Sequence, residues 1–227
     1  SHHRVHHAIN DIYLDKNYSQ IFIFWDKWFG TFQEELPDVP AVYGVKRPVS
    51  TYNPILINFQ HFWQILKDAI RTKSWSDKIL IWVKPTGYRP HDVEASDPLF
   101  SISDPYSYQK YDPKASTILH IWSWIQMLLT LVLMLHMFSI IDQYPLPQLV
   151  WYGLFLFITI FGYTSVMDLK KYSLFTGLFR LAMVTIHQYY FETWFSIPIA
   201  VMYLLIAITL CTDFLLLKKE FTENSAL

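Results

Sequence analysis

The chain has 227 residues, a formal net charge of −1, 52% hydrophobic and 18% aromatic residues. Only 16% of its residues are charged, against about 25% in soluble domains, and the near-neutral balance gives no reason to expect nucleic-acid binding. A single cysteine, Cys211, excludes an intramolecular disulfide, cysteine-based zinc motifs and iron–sulfur clusters. Residues 1–116 carry most of the charge and residues 117–217 only a handful. This split predicts an all-α integral membrane protein with transmembrane helices and amphipathic interfacial helices.

The first ten residues are the densest in chemistry. His2, His3, His6 and His7 are four of the nine histidines. On a helix, His3, His6 and His7 fall at i, i+3 and i+4 on one face, and His2 pairs with His6 at i, i+4. Neutral imidazoles at this spacing can converge on a metal. Two plainer readings stand beside this one: purification-tag residues, although Arg4 and Val5 interrupt the run, and surface histidines without a role. Asn10 would share the face of His3, either orienting an imidazole or ending the helix. The chain lacks an initiator Met and starts inside the motif, so it is expected to be part of a longer protein.

A polar connector, Asn10 to Tyr18, leads to residues 19–32. There Ile21, Phe22, Trp25, Trp28 and Phe29 recur at helical spacing, and Gly30 is placed to end the helix. Its 14 residues fall short of the roughly 20 needed to cross a bilayer. A packed or interfacial helix carrying one acid, Asp26, is predicted.

His3-Arg4-Val5-His6-His7, then Asp15-Lys16-Asn17-Tyr18, then Trp25-Asp26-Lys27-Trp28-Phe29-Gly30-Thr31-Phe32 resembles the last third of the fatty acid hydroxylase / sterol desaturase superfamily. The resemblance is nearest to its alkylglycerol-cleaving branch. The stretch Tyr43 to Pro54 is similar to that branch too, and the remainder resembles it in layout. Alone, HxxHH is a weak motif; followed by WDxxFGTF at this distance it is specific. The resemblance implies an integral-membrane di-iron oxygenase that hydroxylates a lipid C–H bond with O2. Glyceryl ethers, sterols or acyl chains are the substrates, and tetrahydrobiopterin or a cytochrome partner is the electron source. His3, His6 and His7 match the third of three histidine boxes. The first two would precede Ser1, so the fragment alone is expected to be inactive. His2 lies outside the strict box as a possible further ligand. Trp25, Asp26 and Thr31 match family positions and are expected to support the site by packing and hydrogen bonding, with Asn10.

Residues 33–52 read as loop. Asn53 and Pro54 then suit the N-cap and first position of a helix. Ile55, Phe59, Phe62, Leu66 and Ile70 line one side of it, and Gln60, Gln64, Lys67, Asp68 and Arg71 lie mainly on the other. This pattern suits a membrane-surface helix or a core helix. A short helix is expected over 74–84, and an aperiodic linker over 85–116. The organisation predicted is 1–36 for the end of the hydroxylase domain, 37–116 for interfacial helices and linker, 117–217 for four transmembrane helices, and 218–227 for a tail.

The four apolar stretches are Thr117–Ile141, Leu149–Met167, Ser173–Tyr190 with Arg180, and Ile197–Leu217 with Asp213. Lysines occupy alternate connections: Lys110 and Lys114, then Lys170 and Lys171, then Lys218 and Lys219. The positive-inside rule therefore puts the histidine box and the C-terminus on the cytoplasmic face. A buried arginine in a span needs a partner, and a direct contact between Arg180 and Asp213 is predicted, with snorkelling of Arg180 as the alternative. A non-catalytic membrane-anchoring, lipid-binding or partner-binding module is the second functional reading.

Overall fold

Helix-favouring runs, broken by Gly, Pro and Asn, set the order of elements. The computed structural model describes residues 2–19, 21–85 and 87–224. The helices are α1 (His2–His6), α2 (Phe24–Phe29), α3 (Pro54–Arg71), α4 (Trp75–Leu80), α5 (His91–Ser96), α6 (Thr117–Ser139), α7 (Leu146–Met167), α8 (Ser173–Tyr190) and α9 (Ile199–Asn224). A two-stranded hairpin, β1 (Thr193–Trp194) and β2 (Ile197–Pro198), precedes α9. The chain divides into two units, Ser1–Ser50 with His61–Tyr111, and Thr51–Gln60 with Asp112–Leu227.

In the first unit, Val5, Ala8 and Tyr13 form a small core with Val39 and Ala41. The Tyr13 hydroxyl donates to the Val39 carbonyl at 2.6 Å and accepts from Leu36 N–H at 2.9 Å. α2 is shorter than the predicted helix and begins at Phe24. Gly30 caps its end at φ +74°, a left-handed conformation suited to glycine. α4 starts from Ser74, whose hydroxyl accepts from Asp77 N–H. α5 lies inside the predicted linker. It is a single short helix after Pro90, too brief to show a period.

Asp68 does not lie on a solvated face. It is buried and forms a bidentate ion pair with Arg89, at 2.7 Å to Nε and 3.0 Å to Nη2. Gln64 Nε2 donates to the same carboxylate at 2.8 Å, and Arg89 Nη1 donates to the Asp97 carbonyl at 2.9 Å. Burial opposes the Asp68 charge, but the Arg89 guanidinium outweighs it and holds the carboxyl below its ordinary range.

In the second unit Asn53 caps α3. Its Oδ1 accepts from Ile55 and Leu56 N–H, and its Nδ2 donates to Ser165 Oγ at 3.0 Å and to the Phe161 carbonyl at 3.2 Å. α6 packs on α7, α7 on α8, and α8 on α9. The core joins Tyr152, Phe155, Met183, Val184, Met202 and Ile206 to Trp194 and Phe195 of the hairpin. Phe195 and Ser196 both have positive φ, 49° and 72°, as a two-residue type I′ connection requires. This hairpin moves the start of the last helix from the predicted 197 to 199, and the helix continues beyond Leu217.

α6, α7 and α9 (over Ile199–Thr222) are long and apolar enough to cross a membrane. α8, the third predicted span, has 18 residues and is less apolar, and it packs between α7 and α9. Its neighbours approach closely. A β-carbon on Gly162 would collide with Thr176, and one on Gly177 would lie 2.7 Å from Leu210 Cδ1.

The predicted Arg180–Asp213 contact is replaced by an indirect arrangement. Arg180 Nη2 donates to Thr209 Oγ1 at 3.4 Å, and Asp213, one turn further along α9, accepts from Trp122 Nε1 at 2.7 Å and Gln126 Nε2 at 2.9 Å. Both donors come from α6 and reach the same carboxylate oxygen, Oδ1. Arg180 is 4% exposed, and its Nε is buried without a partner. It lines an internal cavity of about 30 Å3 with Gln126, Thr130, Thr159 and Thr209, room for roughly two water molecules.

Candidate functional site

The histidine segment is shaped by pairing from a distance. Ala8 bridges Tyr43, Ile9 N–H donates to the Val42 carbonyl, and Gly44 N–H donates to the His7 carbonyl. These contacts draw the chain into extended form, so α1 ends at His6 and His7 lies in the turn after it. The three imidazoles still gather. Ring centroids are 4.5 Å apart for His3 and His7, 5.2 Å for His6 and His7, and 6.4 Å for His3 and His6. His3 and His7 are exposed and His6 half-buried. Among the described residues, no three His, Cys, Asp or Glu side chains are grouped to hold a metal ion.

His6 Nδ1 lies 3.3 Å from the Lys16 carbonyl. Donation to that oxygen fixes the tautomer with the proton on Nδ1 and leaves the Nε2 lone pair free. His2 turns elsewhere: its ring meets Phe32 edge-on at 5.5 Å, and its Nδ1 is buried without a partner.

Asp26 organises the loop behind His6. It is 1% exposed and accepts from Tyr18 N–H at 2.8 Å, Ser19 N–H at 3.0 Å and Thr31 Oγ1 at 2.6 Å. Burial works against its charge, but the Thr31 hydroxyl and the two backbone N–H groups prevail and hold the carboxyl below its ordinary range. Its own carbonyl accepts from Thr31 and Phe32 N–H. Asp26 thus fixes the segment carrying Lys16, the partner of His6, and Tyr18, whose ring lies 6.1 Å from the His6 ring.

The other expected supports differ. Asn10 cannot share the helical face of His3, because the helix has ended. Its Oδ1 accepts from Val42 N–H, and its Nδ2 donates to the Pro40 carbonyl and the Tyr106 hydroxyl. It therefore holds a loop and no imidazole. Trp25 is 42% exposed and belongs to an aromatic group with Phe24, Trp28 and Phe29. Ile21, Trp28 and Phe29 are 88%, 74% and 75% exposed, an apolar surface of the kind that marks an interaction site.

Asn17 is a support that the sequence pattern did not single out. It is fully buried, with Nδ2 donating to the His2 carbonyl at 3.3 Å and the Gln33 carbonyl at 2.7 Å, and Oδ1 accepting from Gln33 N–H at 2.9 Å. It ties α1 to residues 31–33. Its φ of +55°, matched by Asp15, is the conformation that Asn and Asp tolerate best after glycine, and the available signal was its place in the Asp15-Lys16-Asn17-Tyr18 stretch.

With the site in view, comparison with known proteins gives a consistent result. The similarity is to alkylglycerol monooxygenases. The chain is 33% identical over 139 residues to the Xenopus tropicalis alkylglycerol monooxygenase, covering 61% of this chain and 31% of that protein. It is 32% identical over 154 residues to the Caenorhabditis elegans one, covering 60% and 30%. It is 41% identical over 90 residues to the Homo sapiens one, covering 40% and 20%. The chain thus spans less than a third of the length of the alkylglycerol monooxygenases it matches. No family model matches the chain, and no solved structure matches it.

Three imidazoles gather, one of them oriented by a backbone carbonyl, and imidazole is a ligand that iron, zinc or copper accepts.

Proposed function

We propose that residues 1–227 are the C-terminal part of a membrane-bound di-iron oxygenase that hydroxylates a lipid C–H bond with O2, with glyceryl ethers as the substrate class. The observation that carries this reading is the gathering of His3, His6 and His7 in a chain similar to alkylglycerol monooxygenases. His3, His6 and His7 would hold the metal as the third histidine box, with the remaining imidazoles drawn from two boxes outside these residues. When bound, the metal supplies activation of O2.

This chain's own residues do the positioning. Lys16 orients His6 through Nδ1, Asp26 and Thr31 hold the Lys16–Ser19 segment, and Asn17 holds the backbone at His2. The exposed aromatic surface of α2 suits docking at the lipid interface, where an amphiphilic ether presents its glycerol head. Hydroxylation at the ether-bearing carbon yields a hemiacetal that separates into a fatty aldehyde and glycerol. One oxygen atom of O2 enters the product, and the other leaves as water with two electrons from tetrahydrobiopterin or a cytochrome. The lysines at 110, 114, 170, 171, 218 and 219 favour a four-span topology with the histidines facing the cytoplasm.

The test is His6→Ala in the natural full-length protein. Bound iron and aldehyde release from a glyceryl ether should both fall to background. Unchanged iron and activity would refute the third-box assignment. A second reading, of a non-catalytic anchoring or lipid- and partner-binding module, draws on the absence of a grouped metal-ligand set among the described residues. It expects no effect of His6→Ala on either readout.

A further inference from the structure

The second unit has a groove beside the N-terminal end of α8 and the C-terminal part of α9, with a volume of about 320 Å3. That is the size of a small-ligand pocket, from about 300 Å3 upward. Its walls combine two chemistries. Leu174, Phe214 and Leu217 supply apolar surface, and Lys171 and Lys218 supply two ammonium groups. Lys171 Nζ stands 4.5 Å from the Phe221 ring centroid, a cation–π contact that directs it over the groove.

Among the described residues no carboxylate lines the groove and neither lysine takes part in a salt bridge. Of the acids near these lysines in sequence, Glu220 is buried and accepts from Ser116 N–H at 3.0 Å, and Asp168 is buried and accepts from the Thr51 hydroxyl and Tyr52 N–H. The groove therefore keeps an uncompensated positive charge. Its position along α9 matters as well. Phe214 and Leu217 end the apolar part of a helix long enough to cross a membrane, and Lys218 follows directly. Apolar walls thus lie at acyl-chain depth, and the ammonium groups at headgroup depth.

We infer that this groove binds an anionic phosphoglyceride of the surrounding leaflet. The phosphodiester sits between Lys171 and Lys218, and the start of an acyl chain lies on Leu174, Phe214 and Leu217. A free phosphate would leave the apolar surface uncovered, and a zwitterionic headgroup would bring its own cation to the lysines. The site is independent of the oxygenase reading and uses none of the residues placed around the histidines.

Native mass spectrometry of the purified protein in detergent tests this, with phosphatidylglycerol and phosphatidylcholine of identical acyl chains. Two lysines at the surface predict roughly a thirtyfold preference for phosphatidylglycerol. Lys171→Gln with Lys218→Gln should reduce the preference to within about threefold of none. Lys170→Gln with Lys219→Gln removes the same charge from positions that do not line the groove, and should keep the preference. Equal retention of the two lipids by the wild-type protein, or equal loss in both double variants, would overturn the site. So would complete displacement of the lipid by glycerol 3-phosphate, since the apolar walls would then contribute nothing.

Discussion

Replacing Asp68 by Asn tests the buried ion pair of the first unit. The substitution keeps the side-chain volume but leaves the Arg89 guanidinium buried, with its Nε and Nη2 facing a neutral amide in place of a carboxylate. Arg89 is 8% exposed and Asp68 1%, so water cannot readily replace the lost partner. Breaking a buried pair by removing one member costs about 3–5 kcal/mol. Amide hydrogen exchange over α5 and the C-terminal half of α3 should therefore lose about two to three and a half orders of magnitude of protection. Asp68→Leu with Arg89→Met, which removes both charges, should recover most of it. The pH dependence follows from the lowered Asp68 carboxyl. Its stabilisation is complete above the unfolded-state value of about 4 and is lost as pH falls through the lower folded-state value. After correction for intrinsic exchange, wild-type protection should stay level from about pH 7 to 5 and decline below about 4, with a shallower decline in Asp68→Asn. A loss of protection under about fivefold in Asp68→Asn would refute the reasoning, since it would mean the pair contributes under about 1 kcal/mol.

Asp26→Asn, measured as iron affinity of the natural full-length protein, should weaken binding by less than the about 10–100-fold that loss of a ligand's direct hydrogen-bond partner costs, because Asp26 reaches His6 only through the Lys16–Ser19 segment. An unchanged affinity would detach Asp26 from His6. Gly162→Ala should destabilise the second unit by about 1–3 kcal/mol through overpacking against Thr176, read as a lower midpoint in detergent denaturation. Gly162→Ala with Thr176→Ala should restore part of the loss, and an unchanged midpoint in the single variant would show that the two helices can separate freely.

Much of the helical layout is legible in the sequence because it depends on local composition. The apolar runs of α6, α7 and α9, the Asn53–Pro54 start of α3 and the Gly30 stop of α2 each rest on neighbours within a few positions. What escapes the sequence depends on partners far along the chain. α1 ends at His6 because Ala8 pairs with Tyr43, and Asp68 is buried because Arg89 reaches it. The hairpin at 193–198 looks like more apolar sequence, yet Trp194 and Phe195 turn back onto Tyr152 and His187. Arg180 and Asp213 read as a pair of opposite charges, but Arg180 donates to Thr209 while Trp122 and Gln126 of α6 donate to Asp213 Oδ1. At the site, the gathering of three imidazoles follows from their spacing. The anchoring of that cluster by Asn17 and the Asp26 loop depends on tertiary hydrogen bonds that no period records.

Arg180 also bears on how the bundle is made. An arginine near the middle of a helix costs about 2.5–3.5 kcal/mol when the helix partitions alone from the translocon into lipid. α8 is already the least apolar of the four bundle helices. By contrast, Ser123 and Thr130 of α6 satisfy their hydroxyls on the α6 backbone itself, donating to the Leu119 and Gln126 carbonyls, so these two groups need no partner helix. Thr209, which accepts from Arg180, is synthesised only with α9. If α8 spans, this predicts that it waits at the interface until α9 emerges and that the two helices then enter the bilayer together. A ribosome stalled before Thr209 should leave α8 accessible to aqueous labelling, whereas one stalled after the α9 sequence has emerged should protect it.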